Sequence, residues 1–131
     1  MNKPEQAFAT KLKNHLLKTK PEQSMAIEVK VTKGGTFNFN DIRKGQWATL
    51  LKLYHGIPVA YKISDSSMGS KLVDLLYLHP DGVNVLPMVA VKFADSRKMY
   101  MINFHNIVQQ KASGLNSIKE STIDESQIIK M

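Results

Sequence analysis

The chain has no cysteine, which excludes disulfides, thiol nucleophiles and cysteine-ligated zinc. No apolar run approaches the roughly 18 to 20 residues that a membrane helix requires. The opening residues, MNKPEQAFATKLKNH, lack the apolar stretch and small-residue cleavage site of a secretory signal. The histidines, His15, His55, His79 and His105, stand far apart without metal-ligand spacing, so each reads as structural or exposed. There is no serine elbow, no glycine-rich phosphate loop, no internal repeat and no low-complexity segment. Nothing asks for an oxidising compartment, and the chain reads as a cytoplasmic domain.

What the chain does have is positive charge, unevenly placed. Its 131 residues suffice for one hydrophobic core, and the net charge is +7. Residues 1–71 hold 12 Lys and Arg against five Asp and Glu, whereas residues 72–131 hold six of each. All the excess lies in the first half. Clustered lysines and arginines displace condensed counterions from phosphates, so a polyanion is the expected partner, with an anionic surface or acidic protein next.

Apolar spacing predicts alternating helices and strands. Phe8, Leu12 and Leu16 recur every four residues and predict a helix over 5–18. Met25, Ile27, Val29 and Val31 alternate with Ala26, Glu28, Lys30 and Thr32, which predicts a strand over 25–32. Lys33-Gly34-Gly35 ends it, and Thr36 to Phe39 reads as a short extended return. A second helix is expected to start at an Asn40 or Asp41 cap and reach about Tyr54, with Ile42, Trp47, Leu50 and Leu51 on its apolar side. Further strands are expected over 59–64, 73–78, 88–93 and 99–103, with Pro80-Asp81-Gly82 as a turn. A last helix is expected from about His105 to Gly114. Residues 1–114 thus read as one domain, and 115–131 as a polar tail, mobile or docking late as a helix. The expected class is α/β, a central mixed β-sheet flanked by helices.

Three polar positions break this apolar layout. Glu28 and Lys30, two apart on one face of a strand, aim a carboxylate and an ammonium at the same spot. Gln46 interrupts the apolar stripe of the second helix, and a buried amide must find polar partners. Glu5 sits in the first turn of the opening helix, where the helix dipole favours a carboxylate. Trp47, Tyr54, Phe37 and Phe39 are expected in the core rather than stacked on bases.

The stretch AIEVKVTKGGTFNFNDIRKGQWATLL resembles the E-x-K strand, loop and glutamine helix of the PD-(D/E)XK nucleases, in their Holliday-junction resolvase branch. The order helix, E-x-K strand, glutamine helix, strand is kept over roughly residues 4–64. The resemblance implies a restriction-endonuclease-like fold and a metal-dependent endonuclease cutting branched DNA. It implies Mg2+ or Mn2+ held by Glu28, with Glu5 supplying a further carboxylate. Lys30 would orient the attacking water or stabilise the transition state, and Gln46 would hold the substrate or the lysine. Lys33, Arg43 and Lys44 would contact phosphates, and the protein would act as a homodimer, in a cell or, if phage-encoded, in the host cytoplasm.

Members of that family also carry an aspartate on a strand before the E-x-K strand, and here no aspartate precedes Asp41. Glu22 is separated from Glu28 by five residues, too few for a turn and a paired strand. Asp65, Asp74 or a partner chain is left to supply that acid. If none does, the expected function is DNA binding without cleavage on the same fold. A small protein-interaction module is the remaining alternative.

Overall fold

A computed structural model describes residues 2–56, 73–80 and 84–131. Helix α1 covers Lys3–Thr19, strand β1 Ser24–Thr32, β2 Thr36–Asn38, helix α2 Lys44–Tyr54, β3 Leu75–Tyr77, β4 Val85–Phe93, β5 Met99–Asn103, helix α3 Phe104–Ala112 and β6 Ser117–Lys119. Four strands form a mixed sheet in the order β3-β1-β4-β5, and β2 pairs with β6 in a separate ribbon. The protein is α/β, with helices on both faces of the sheet. The strand expected over 59–64 and most of the Pro80-Asp81-Gly82 turn lie outside the described residues. No described helix is long and apolar enough to cross a membrane.

Strand alternation divides the core in two. On one face Met25, Ile27, Val29 and Ala90 pack against Phe8, Ala9, Leu12 and Leu16 of α1. On the other, Ala26, Val89, Val91 and Phe93 pack with Leu50 of α2 and with Phe104 and Ile107 of α3. The period-two pattern of β1 and the four-residue spacing of α1 therefore meet across one layer. Asn2 caps α1 by accepting a hydrogen bond from the Glu5 N–H at 2.9 Å. Asn103 caps α3 in the same way through the His105 N–H at 2.9 Å.

Both faces of β1 are covered, which changes the meaning of its alternation. The sequence suggests one apolar and one polar face. The structure buries both, leaving Glu28 0% and Lys30 7% exposed. Strand β4 runs parallel to β1 across nine residue pairs, from Ser24 opposite Val85 to Thr32 opposite Phe93. Parallel pairing with a central neighbour puts a strand between helical layers. Pro87 fits inside β4 because the β5 ladder begins only at Met88, opposite Asn103; on that side no hydrogen bond is lost.

Helix α2 begins later than an Asn40 or Asp41 cap would give. Phe39–Asp41 forms a 3-10 turn, and Arg43 is the residue before the helix. A 3-10 turn has three residues per turn, so Phe39 and Ile42 fall on one side. Both are buried, at 3% and 5% exposure. Burying that pair takes the chain out of register with a helix starting at Asn40.

The C-terminal segment is neither a loose tail nor a helix. It forms β6, then two 3-10 turns over Glu120–Thr122 and Glu125–Gln127. The Ile129 N–H then donates to the Met99 carbonyl at 2.7 Å, and Ile128 bridges to Tyr100, so the chain covers the β5 edge. Ile118, Ile123 and Ile128 are five residues apart, a spacing that fits neither helix nor strand but suits anchors separated by turns. Glu120 ties the segment down by accepting from the Ser96 hydroxyl at 2.6 Å and the Tyr100 hydroxyl at 2.9 Å. Burial first, and the Glu120 carboxylate second, push the Tyr100 hydroxyl up to about 12. Replacing Glu120 with alanine orphans a phenol that is 4% exposed. The expected cost is about 1–3 kcal/mol in urea unfolding, as for other hydrogen bonds to charged groups.

Candidate functional site

The centre of interest is an acid pair on the sheet, a buried Glu28 beside a half-buried Asp74. Strand β3 runs antiparallel to β1 with Ala26 opposite Leu76 and Ile27 opposite Leu75. One further step of this register sets Asp74 against Glu28. Asp74 is fixed there because one carboxylate oxygen accepts from the Val29 N–H at 2.8 Å. Of the described candidates for a second acid, Asp74 is thus the one brought to Glu28. Asp65 lies outside the described residues, and Glu22 is exposed in the turn before β1. Glu22 lies before the first residue of β1, Ser24, whereas Glu28 stands in the middle of that strand.

Glu28 is fully buried, and neither of its oxygens has a hydrogen-bond partner. Two ionised carboxylates offer each other only acceptors, so Glu28 and Asp74 can bond only through a shared proton or a cation. Burial first, and the neighbouring Asp74 carboxyl second, push the Glu28 carboxyl up to about 9. The charges of Lys30 and Arg43 pull the other way without prevailing. At neutral pH and without a cation, Glu28 therefore holds a proton.

Lys30 stands on the same face of β1, two residues along, as its spacing requires. Gln46 occupies the first turn of α2, the helix that packs on this face, and is 8% exposed. Its Oε1 is buried without a donor. A further orphaned acceptor therefore sits on the helix that covers this face of the sheet. Arg43, immediately before α2, is exposed, but its charge reaches Glu28. Lys33 and Lys44 are also exposed. They lie beyond the C-terminal end of β1 and at the start of α2.

Glu5 is not part of this assembly. It is buried at 8% exposure, but α1 covers the opposite face of the sheet, the one carrying Ile27 and Val29. Among the described residues no group of three or more His, Cys, Asp or Glu gathers in one place. The expectation that Glu5 adds a third carboxylate fails because helix and strand acids approach from opposite sides. Trp47 and Tyr54 pack partly buried against the core, and Phe37 and Phe39 are buried within it. The Lys111 ammonium lies 4.3 Å from the centre of the Trp47 ring, which accounts for that ring's outer face.

What the sequence does not reveal is the partner of Glu28. The available signal is Asp74 itself, an acid inside the apolar run Val73-Asp74-Leu75-Leu76-Tyr77. A charge there must face a polar neighbour or solvent. No family model, curated protein or solved structure gives a significant match to the chain.

Proposed function

We propose that this protein is a metal-dependent endonuclease acting on branched or otherwise structured DNA, built on a restriction-endonuclease-like arrangement of the sheet. One observation carries the reading. A fully buried glutamate with no donor for either oxygen lies beside an aspartate that immediately precedes the neighbouring antiparallel strand. Ionising a buried carboxyl without a partner is costly; a proton avoids that cost, and a divalent cation in its place would offset it. The aspartate that the E-x-K resemblance calls for is thereby available from Asp74, which follows Glu28 in sequence instead of preceding it.

The donor set fits Mg2+ or Mn2+. Such ions commonly take one or two carboxylates and complete their shell with water and substrate phosphate. A bound divalent ion would lower the pKa of a water and neutralise charge on the phosphate. The chain's own residues supply the rest. Glu28 and Asp74 hold the ion. Lys30, a buried ammonium two residues on, faces the same space and stabilises negative charge developing on the phosphate. Arg43, Lys44 and Lys33 place the strand by phosphate contacts that carry no sequence information. A homodimer would present two such centres to the two strands of a junction, and a cytoplasmic setting suits a cysteine-free chain.

The test is cleavage of a synthetic four-way junction and a matched duplex in Mg2+ or Mn2+. Wild type is expected to cut the junction, and Glu28→Ala and Lys30→Ala to lose at least about 100-fold in rate. Equal cutting by all three proteins would remove these residues from the reaction. A second reading, DNA binding without cleavage, draws on the presence of only two gathered acids among the described residues. It predicts tight, salt-sensitive binding by wild type and no cutting with any divalent ion.

A further inference from the structure

The first turn of α2 is open in a way that the first turns of α1 and α3 are not. Arg43 precedes the helix, and no side chain caps it. The first hydrogen bond to the chain before the helix runs from the Trp47 N–H to the Arg43 carbonyl. Among the described residues, the N–H groups of Lys44, Gly45 and Gln46 accordingly have no acceptor. Arg43, Lys44 and Gly45 are all exposed. A Cβ added at Gly45 would meet nothing within 4 Å, so the approach to these amides is clear.

Free amides at a helix start are not a site in themselves, since water can satisfy them. Three orphaned acceptor atoms distinguish this one. Gln46 Oε1, in the same turn, is buried without a donor, and so are both oxygens of Glu28. Leu50 of α2 packs against Ala26, on the face of β1 that also carries Glu28, so the acid pair and the helix start lie on the same side of the sheet. Free donors and orphaned acceptors on one side of the sheet match a ligand that is anionic at one end and cationic at the other. A phosphodiester bound to a divalent ion is such a ligand.

We infer that the first turn of α2 is the seat of a nucleic-acid phosphodiester: the Lys44, Gly45 and Gln46 amides take its free oxygens while Arg43 and Lys44 add charge. The helix dipole favours negative charge at this end. The inference rests on the nuclease reading for the identity of the ligand. It adds to that reading a backbone site which no side-chain substitution reports.

A proline at position 44 isolates the backbone contribution. Arg43 has φ −64° and ψ 151°, an extended conformation that precedes proline without strain. Position 44 is the first residue of the helix, where proline is well tolerated. Lys44→Pro thus removes the charge and one amide donor, whereas Lys44→Ala removes the charge alone. Binding of a short DNA duplex is measured in Ca2+, beside thermal unfolding, for wild type and both variants. Lys44→Pro is expected to bind about tenfold more weakly than Lys44→Ala, the worth of a charge-assisted hydrogen bond, with Tm no lower. Amide NMR supplies a second measurement on wild type: inorganic phosphate and the duplex should each shift the Lys44, Gly45 and Gln46 resonances. Equal binding by the two variants, with no movement of these three resonances, overturns the proposed seat. Shifts with phosphate but not with the duplex would show a site for small anions and would overturn it as well. Failure of the nuclease reading shows separately, as wild type that binds at α2 but cuts nothing in any divalent ion.

Discussion

Glu28→Gln is expected to make the protein more stable at alkaline pH, the reverse of the usual result for altering a buried, well-placed residue. The Glu28 carboxyl ionises near 4.5 in the unfolded chain and at about 9 in the folded one. Between these values the folded state holds a proton that the unfolded state has released. Unfolding stability therefore falls as pH rises from about 4.5 to about 9, and levels off above. The accumulated loss at pH 9 is on the order of several kcal/mol, a large share of an ordinary domain's stability. Glutamine is neutral throughout, nearly the same shape, and can donate to Asp74. Thermal unfolding from pH 5 to 9 is expected to show a steeply falling Tm for wild type and a flatter curve for Glu28→Gln. Mn2+ at pH 8 should raise the wild-type Tm and leave the variant's unchanged, because a ligand stabilises only the state that binds it. Parallel pH profiles would show that Glu28 is not held protonated by its surroundings.

Asp74→Asn has the largest expected effect on activity. The change preserves size and keeps an acceptor for the Val29 N–H, which in wild type donates to the Asp74 carboxylate at 2.8 Å. Strand pairing should survive, so circular dichroism and Tm at pH 6 should stay near those of wild type. One of two carboxylates for the ion is gone. Junction cleavage is expected to drop by at least about 100-fold, since ligand loss weakens both ion binding and charge stabilisation. Glu5→Gln, on the opposite face, is the matched control and should cut at a rate within a few-fold of wild type. If the aspartate variant cuts normally and the Glu5 variant does not, the site has been assigned to the wrong face of the sheet.

The layered α/β arrangement was legible because α1 and β1 carry clean periodicities, with Phe8, Leu12 and Leu16 on one side and Met25, Ile27 and Val29 on the other. Lys30 and Gln46 could be singled out for a related reason: each interrupts an apolar pattern. The acid pair could be suspected but not assembled. Its two members are 46 residues apart, and nothing local to either one fixes the antiparallel register of β1 and β3. Nor does alternation along β1 tell a half-exposed strand from one sandwiched between helices. That depends on the parallel pairing with β4, a contact across some sixty residues. The start of α2 was misplaced because Asn40 and Asp41 are good caps in isolation, whereas the burial of Phe39 with Ile42 decides the local geometry. The C-terminal segment hid its anchors by spacing its isoleucines to suit neither regular element.

The central claim is that Glu28 and Asp74 together form a cation site which a proton occupies in the cation's absence. Calorimetric titration of wild type with Mn2+ near pH 7.5, in buffers of different ionisation heat, measures both halves at once. One ion is expected to bind per chain with release of close to one proton, and Asp74→Asn is expected to lose both. Binding without proton release, or an unchanged isotherm in the variant, would contradict the claim.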